Sequence, residues 1–209
     1  AAEDAQRAAE LVARHRHDAL DESQWYVLER WLALVSTVTV QQRAELLMAH
    51  AWITLNYHYR VETVPPLLAE VESLVGDRSG DAQVRDELAV CRGYVSWLTG
   101  NGAESLQHLD DGLERIPVSH VDFRGHAEMV FAQAKQMVGR KEEGLRFLDD
   151  LLAHSVSVEE MREARLLISR VFIHVVAGDL LDAEMTNRRA LALVEGGCPA
   201  YARIWTSYM

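Results

Sequence analysis

The chain has 209 residues, 49% apolar and 25% charged, with 21 Lys plus Arg against 32 Asp plus Glu and a formal net charge of -11. That composition can bury a sizeable core, and it excludes a disordered, collagen-like or disulfide-stapled chain. A surface this acidic repels phosphate backbones, so nucleic-acid binding by this chain alone is not expected.

From the N-terminus, AAEDAQRAAELVARH has no apolar core region and is not a signal peptide. Residues 2–19 and 22–36 carry helical periodicity, and they form an N-terminal segment, 1–40, that caps or continues a stack of helix pairs. Four such pairs are predicted, at 41–75, 84–115, 123–153 and 159–195. Their first helices run 41–58, 84–99, 123–138 and 159–176, and their second helices 62–75, 103–115, 141–153 and 180–195. Pro65 and Pro66 suit a first helical turn, where a missing N–H is no loss. Polar or Gly-rich connectors at 76–81, 117–122 and 196–198 separate the pairs. Residues 199–209, PAYARIWTSYM, open another first helix without its partner, leaving Tyr201, Ile204 and Trp205 to be covered. With no initiating Met, the expectation is a fragment of a longer chain.

The most apolar stretch, Leu166 to Ala177, is broken by Ser169, Arg170 and His174 and is too short and polar to span a bilayer. Cys91 and Cys198 stand far apart with no CxxC, which fits a reducing, cytoplasmic location.

The pairs repeat. Gly100, Gly139 and Gly178 are each 39 residues apart, and an acid follows each by four positions: Glu104, Glu143, Asp182. Small residues follow by five (Ser105, Gly144, Ala183), and small or β-branched ones precede by seven (Gly93, Ala132, Val171). Leu106, Leu109, Asp110, Asp111 and Leu113 recur as Leu145, Leu148, Asp149, Asp150 and Leu152. A diverged earlier unit fits with its turn near Tyr59-Arg60. The glycine suits a left-handed helix terminus, and the small residue beyond it lets two helices approach closely. One such hairpin cannot bury its apolar face alone, so the predicted fold is all-α: a right-handed superhelical solenoid of antiparallel hairpins with a period of about 39 residues.

The glycine with a small residue five positions on resembles the tetratricopeptide repeat. The longer unit, the segment WYVLERWLALVSTVTVQQRAELLMAHAWITL, and the paired GYVSWLTGNGAESLQHLDDGLE and RVFIHVVAGDLLDAEMTNRRALAL resemble the central sensor domain of the large ATP-dependent, LuxR-type (maltose-activator-like) transcriptional regulators. The resemblance implies a domain that receives a small-molecule inducer or a regulatory protein. It also implies that the domain controls a flanking nucleotide-binding switch and a helix-turn-helix. Neither flank is in this chain: no GxxxxGK[ST] occurs, and the one basic cluster, Asn187-Arg188-Arg189, lies inside a repeat helix.

Candidate chemistry is sparse. No HExxH, PCxxC or GxSxG occurs, and no cofactor is implied. His15 and His17 lie on different faces of a helix, and His120 falls in a connector, so the histidines read as solvated or capping. Asp110-Asp111 and Asp149-Asp150 point about 100° apart within each pair and read as a solvated face. No enzyme is expected. Positions three, six, ten and thirteen before each turn glycine share the face that would line the concave side. That face supplies Tyr94, Trp97, His126, Gln133, Gln136, Arg165 and Phe172 as a candidate ligand groove of rings, amides and one guanidinium. The alternatives are that these residues simply pack the hairpins, and that the chain is a stand-alone tetratricopeptide-like adaptor or scaffold holding a peptide or protein partner.

Overall fold

A computed structural model describes residues 2–76, 81–153 and 160–195. These residues form eleven α-helices and no strand: α1 (Ala2–Asp21), α2 (Trp25–Leu34), α3 (Thr37–Gln41), α4 (Ala44–Asn56), α5 (Val64–Leu74), α6 (Ala82–Leu98), α7 (Gly102–Arg115), α8 (Val121–Met137), α9 (Lys141–Ala153), α10 (Glu160–Ala177) and α11 (Leu180–Glu195). The expected unit at 199–209, with Tyr201, Ile204 and Trp205, lies outside the described residues, as does Cys198.

The three turn glycines make one cap three times over. Gly100, Gly139 and Gly178 have φ of 85°, 80° and 83°. Their N–H groups donate to Trp97, Gln136 and Val175 carbonyls at 3.0, 3.0 and 3.1 Å. The following N–H groups of Asn101, Arg140 and Asp179 reach back to Ser96, Lys135 and His174 at 2.8, 2.8 and 2.9 Å. This double bond satisfies carbonyls that the helix end would otherwise orphan. Ser23, at φ 59°, closes α1 with the same pair of bonds. The diverged turn near Tyr59-Arg60 lies 41 rather than 39 positions before Gly100: Tyr59 has φ 53°, a conformation costing a residue with a Cβ roughly 1–2 kcal/mol.

The short helix α3 is not distinguished in the sequence pattern. Ser36 begins it, accepting the Thr39 N–H on Oγ at 3.2 Å, and α4 therefore starts only at Ala44.

Within each pair the small residues set the helix separation. A Cβ on Gly93 would lie 2.6 Å from Leu109 Cγ and 3.2 Å from the Ser105 carbonyl oxygen. One on Gly144 would lie 2.7 Å from the Ala132 carbonyl oxygen, the equivalent contact one repeat on. Thus α6 packs on α7, α8 on α9 and α10 on α11, as α4 does on α5. The first helices also pack side by side in the order α4, α6, α8, α10. The largest cluster of buried apolar side chains runs from α1 through α8, centred on Trp52 stacked on Phe123 with ring centroids 3.6 Å apart. Not every contact is serial. Helix α1 packs on α2, α3 and α4 but also reaches α8. No helix among the described residues is long and apolar enough to cross a membrane.

Candidate functional site

The seven residues of the candidate groove lie on α6, α8 and α10, and several of them pack against one another. Trp97 of α6 meets Phe172 of α10, one helix beyond its neighbour, with ring centroids 5.9 Å apart. Tyr94 lies 5.7 Å from Trp97 and 6.2 Å from the His126 ring. Tyr94, His126, Gln133 and Arg165 are buried, while Trp97, Gln136 and Phe172 keep part of their surface. In place of the open trough expected from the repeat, only those three keep exposed surface, because side chains of α6, α8 and α10 meet one another. Trp97 Nε1, Gln133 Oε1 and Gln136 Oε1 are buried atoms with no hydrogen-bond partner among the described residues. One donor and two acceptors are thus left open on this face.

Arg165 is not free to greet a ligand. Its Nη2 donates to Asp122 Oδ1 at 2.6 Å, with both side chains almost excluded from solvent. Asp122 is the hub of four helices. Trp52 Nε1 donates to its Oδ2 at 2.8 Å, and Tyr57 Oη donates to Oδ1 at 3.4 Å. Its backbone N–H donates to Asp21 Oδ1 of α1 at 2.7 Å, and its carbonyl oxygen lies 2.8 Å from His126 Nδ1. Burial alone would push the Asp122 carboxyl up; the neighbouring His126, Arg165 and Trp52 outweigh it and hold it below the usual range. Burial, then the adjacent guanidinium of Arg165, pushes His126 down to about 4, so its ring is neutral at physiological pH. In the sequence Asp122 stands at the end of a connector, and no motif there marks it as a hub.

A second buried polar cluster joins α1 to α6 and α8. Glu87, fully buried in α6, accepts on Oε1 from Arg16 Nη2 at 2.8 Å and from Gln83 Nε2 at 2.9 Å, with His17 Nε2 also at 2.9 Å. Burial is the largest influence on its carboxyl and pushes it up, but Arg16, His17 and Gln83 together hold it at about 2. The His120 ring stacks on the His17 ring at 3.8 Å between centroids. Burial, then the His17 ring, pushes His120 down to about 4. His17, His126 and His174 are buried, so the expectation of solvated histidines fails for these three. Each turns inward, where one ring nitrogen meets a carboxylate or carbonyl: His17 Nε2 on Glu87 Oε1, His126 Nδ1 on the Asp122 carbonyl and His174 Nδ1 on Asp179 Oδ2.

A third carboxylate, Glu128, is clamped by Arg124 and Arg162, with Nη2 of Arg162 2.7 Å from its Oε1. The twin acids do not converge: Asp110, Asp149 and Asp150 are exposed, and Asp149 pairs with Arg170. His174, Asp179 and Asp182 also cluster, but the Lys141 ammonium already sits on Asp179. Set against protein-family models, curated proteins and solved structures, the chain matches none of them.

Proposed function

We propose that this chain is a sensing domain built as a right-handed solenoid of helix hairpins, which receives a ligand or partner on its inner face and relays that event to other domains of a transcriptional regulator. The observation that carries the reading is the set of unpartnered polar atoms on the repeat's inner face, Trp97 Nε1, Gln133 Oε1 and Gln136 Oε1, set among aromatic rings. Buried polar groups are costly to leave unpaired, so a face that keeps three of them suits a partner able to pair with them. The 39-residue register of glycine caps and the serial packing of α4, α6, α8 and α10 support the solenoid. Exposed Leu180 (69%), Leu181 (70%) and Met185 (56%) on α11 support a further body seated against the end of the stack.

The test is tryptophan fluorescence of the chain during titration with candidate inducers. Trp97→Phe is expected to remove the ligand response without lowering the melting temperature. Gln133→Ala is expected to weaken binding by about 0.5–1.5 kcal/mol, the worth of one neutral hydrogen bond. A response that survives both substitutions overturns the reading.

A further inference from the structure

We propose that the stacked rings of His17 and His120 are an acid-sensitive latch, which seats the C-terminal half of α1 against α6 and α8 and releases it when a further proton enters the stack. The rings lie 3.8 Å apart and within 9° of parallel, and the Phe123 ring closes on His17 edge-on at 5.7 Å. On its other side His17 Nε2 stands 2.9 Å from Glu87 Oε1 of α6, the oxygen that Arg16 Nη2 reaches at 2.8 Å. Arg16, His17 and the Asp21 carboxylate, which accepts the Asp122 N–H, thus hold one stretch of α1 to two distant helices.

A further proton has no good place in this arrangement. A charged imidazole carries an N–H on both nitrogens, yet Nδ1 of His17 and Nδ1 of His120 are both buried with no partner among the described residues. The added N–H would be buried without an acceptor. Two charged rings face to face at 3.8 Å would also repel each other, in surroundings that screen poorly.

The charges around His120 do not rescue it. Arg16 of α1 adds to the repulsion. Glu87 of α6 and Asp18 of α1 favour a charged ring, but Glu87 is already shared by Arg16, His17 and Gln83, and Asp18 is exposed and paired with His15. From α8, Asp122 is engaged by Trp52 and Arg165. Burial, then the His17 ring, holds His120 at about 4, below its ordinary 6.5. The released helix therefore takes up a proton that the seated helix refuses. Seating is fully favoured above pH 6.5 and weakens as pH falls toward 4. Opening the latch gives up only the contacts of α1 with α6 and α8, whereas global unfolding gives up the whole core, so the local event comes first.

The experiment is hydrogen exchange of the full chain between pH 7 and 4.5, corrected for the intrinsic pH dependence of exchange. Protection of amides 16–21 should fall by about tenfold or more relative to α8 and α10, the shift that one pH unit of linkage produces. His120→Phe keeps a ring in the stack but cannot charge, and it should hold that protection in acid. His120→Gln serves as the second non-titrating variant should the first fail to fold, which circular dichroism at pH 7 reads. Protection at 16–21 that falls only in step with α8 and α10 overturns the proposal. So does an early loss that persists in both His120 variants, or one that His126→Gln abolishes, which would place its source at the Asp122 hub.

Discussion

Asp122 and Arg165 stand 43 positions apart in sequence, yet their side chains meet at 2.6 Å with 1% and 6% of their surface exposed. The pair ties one repeat to the next at a level where water cannot screen it. Removing one partner leaves the other charge buried alone. Arg165→Met is therefore expected to cost about 3–5 kcal/mol, read from urea denaturation. Asp122→Asn combined with Arg165→Met should recover much of that loss. A double variant no more stable than the worse single would show that the loss comes from something other than the orphaned charge.

The two roles of glycine separate under alanine replacement. Gly139 sits at φ 80° with open space around its missing Cβ, so Gly139→Ala meets only backbone strain, roughly 1–2 kcal/mol. Gly144 is helical, but a Cβ there would lie 2.7 Å from the Ala132 carbonyl oxygen. Backbone cannot swing aside as a side chain can, so Gly144→Ala must part α8 from α9, at about 1–3 kcal/mol. Calorimetric melts check both. In circular dichroism Gly144→Ala should also lose helical signal ahead of the main transition.

Two tryptophans predict opposite responses to the same change. Trp52 Nε1 donates to Asp122 Oδ2 at 2.8 Å, so Trp52→Phe strips a buried carboxylate of a donor and should destabilise by about 1–3 kcal/mol. Trp97 Nε1 has no such partner among the described residues, and Trp97→Phe should leave the melting temperature within about 1 °C or raise it slightly, as expected when a lost group was unpaired. Equal losses in the two variants would mean that ring volume, not the N–H, sets the outcome.

His126 gives the fold an acid limit. Its ring is held down to about 4 in the folded chain, below the ordinary value of 6.5. Between those values the unfolded chain binds a proton that the folded chain refuses. The stability is fully present above pH 6.5 and drains as pH falls toward 4, by roughly 3 kcal/mol if the whole gap is realised. Asp122, also lowered, adds its loss only at still more acid pH, and Arg165 stays charged throughout. Urea midpoints between pH 4 and 7 should fall in this sense, and His126→Gln should flatten the upper part of the slope.

What the sequence reveals and what it hides divide along a physical line. The cap at Gly100, Gly139 and Gly178 and the close approach at Gly93 and Gly144 are local or lie within one repeat, so their residue types recur at a readable interval. Tyr59, with no glycine to mark it and two positions off the 39-residue register, is legible only as a turn near the flanking helical runs. Hubs behave otherwise. Glu87 takes its partners from positions 16, 17 and 83, and Asp122 takes its own from 21, 52, 57 and 165. Glu87 shares its place before Gly100 with His126 and Arg165 before the next two glycines, but the residue type changes each time, and nothing in His17 or His120 taken singly distinguishes a buried ring from a solvated one. The contact of Trp97 with Phe172 across two helices is not legible either, because it depends on how three helices pack together.

Helix α1 changes what kind of folding reaction this chain undergoes. A stack whose units touch only their neighbours can form from any point and fray from either end. Here α1 is bound to Glu87 and Asp122, 71 and 101 positions downstream of Arg16 and Asp21. It can pack on α2, α3 and α4 early, but its buried polar partners are in place only once α6 and α8 have formed. Once docked, it closes a long loop across three hairpins and couples their melting into one event. Deleting residues 2–21 should therefore broaden a single sharp transition.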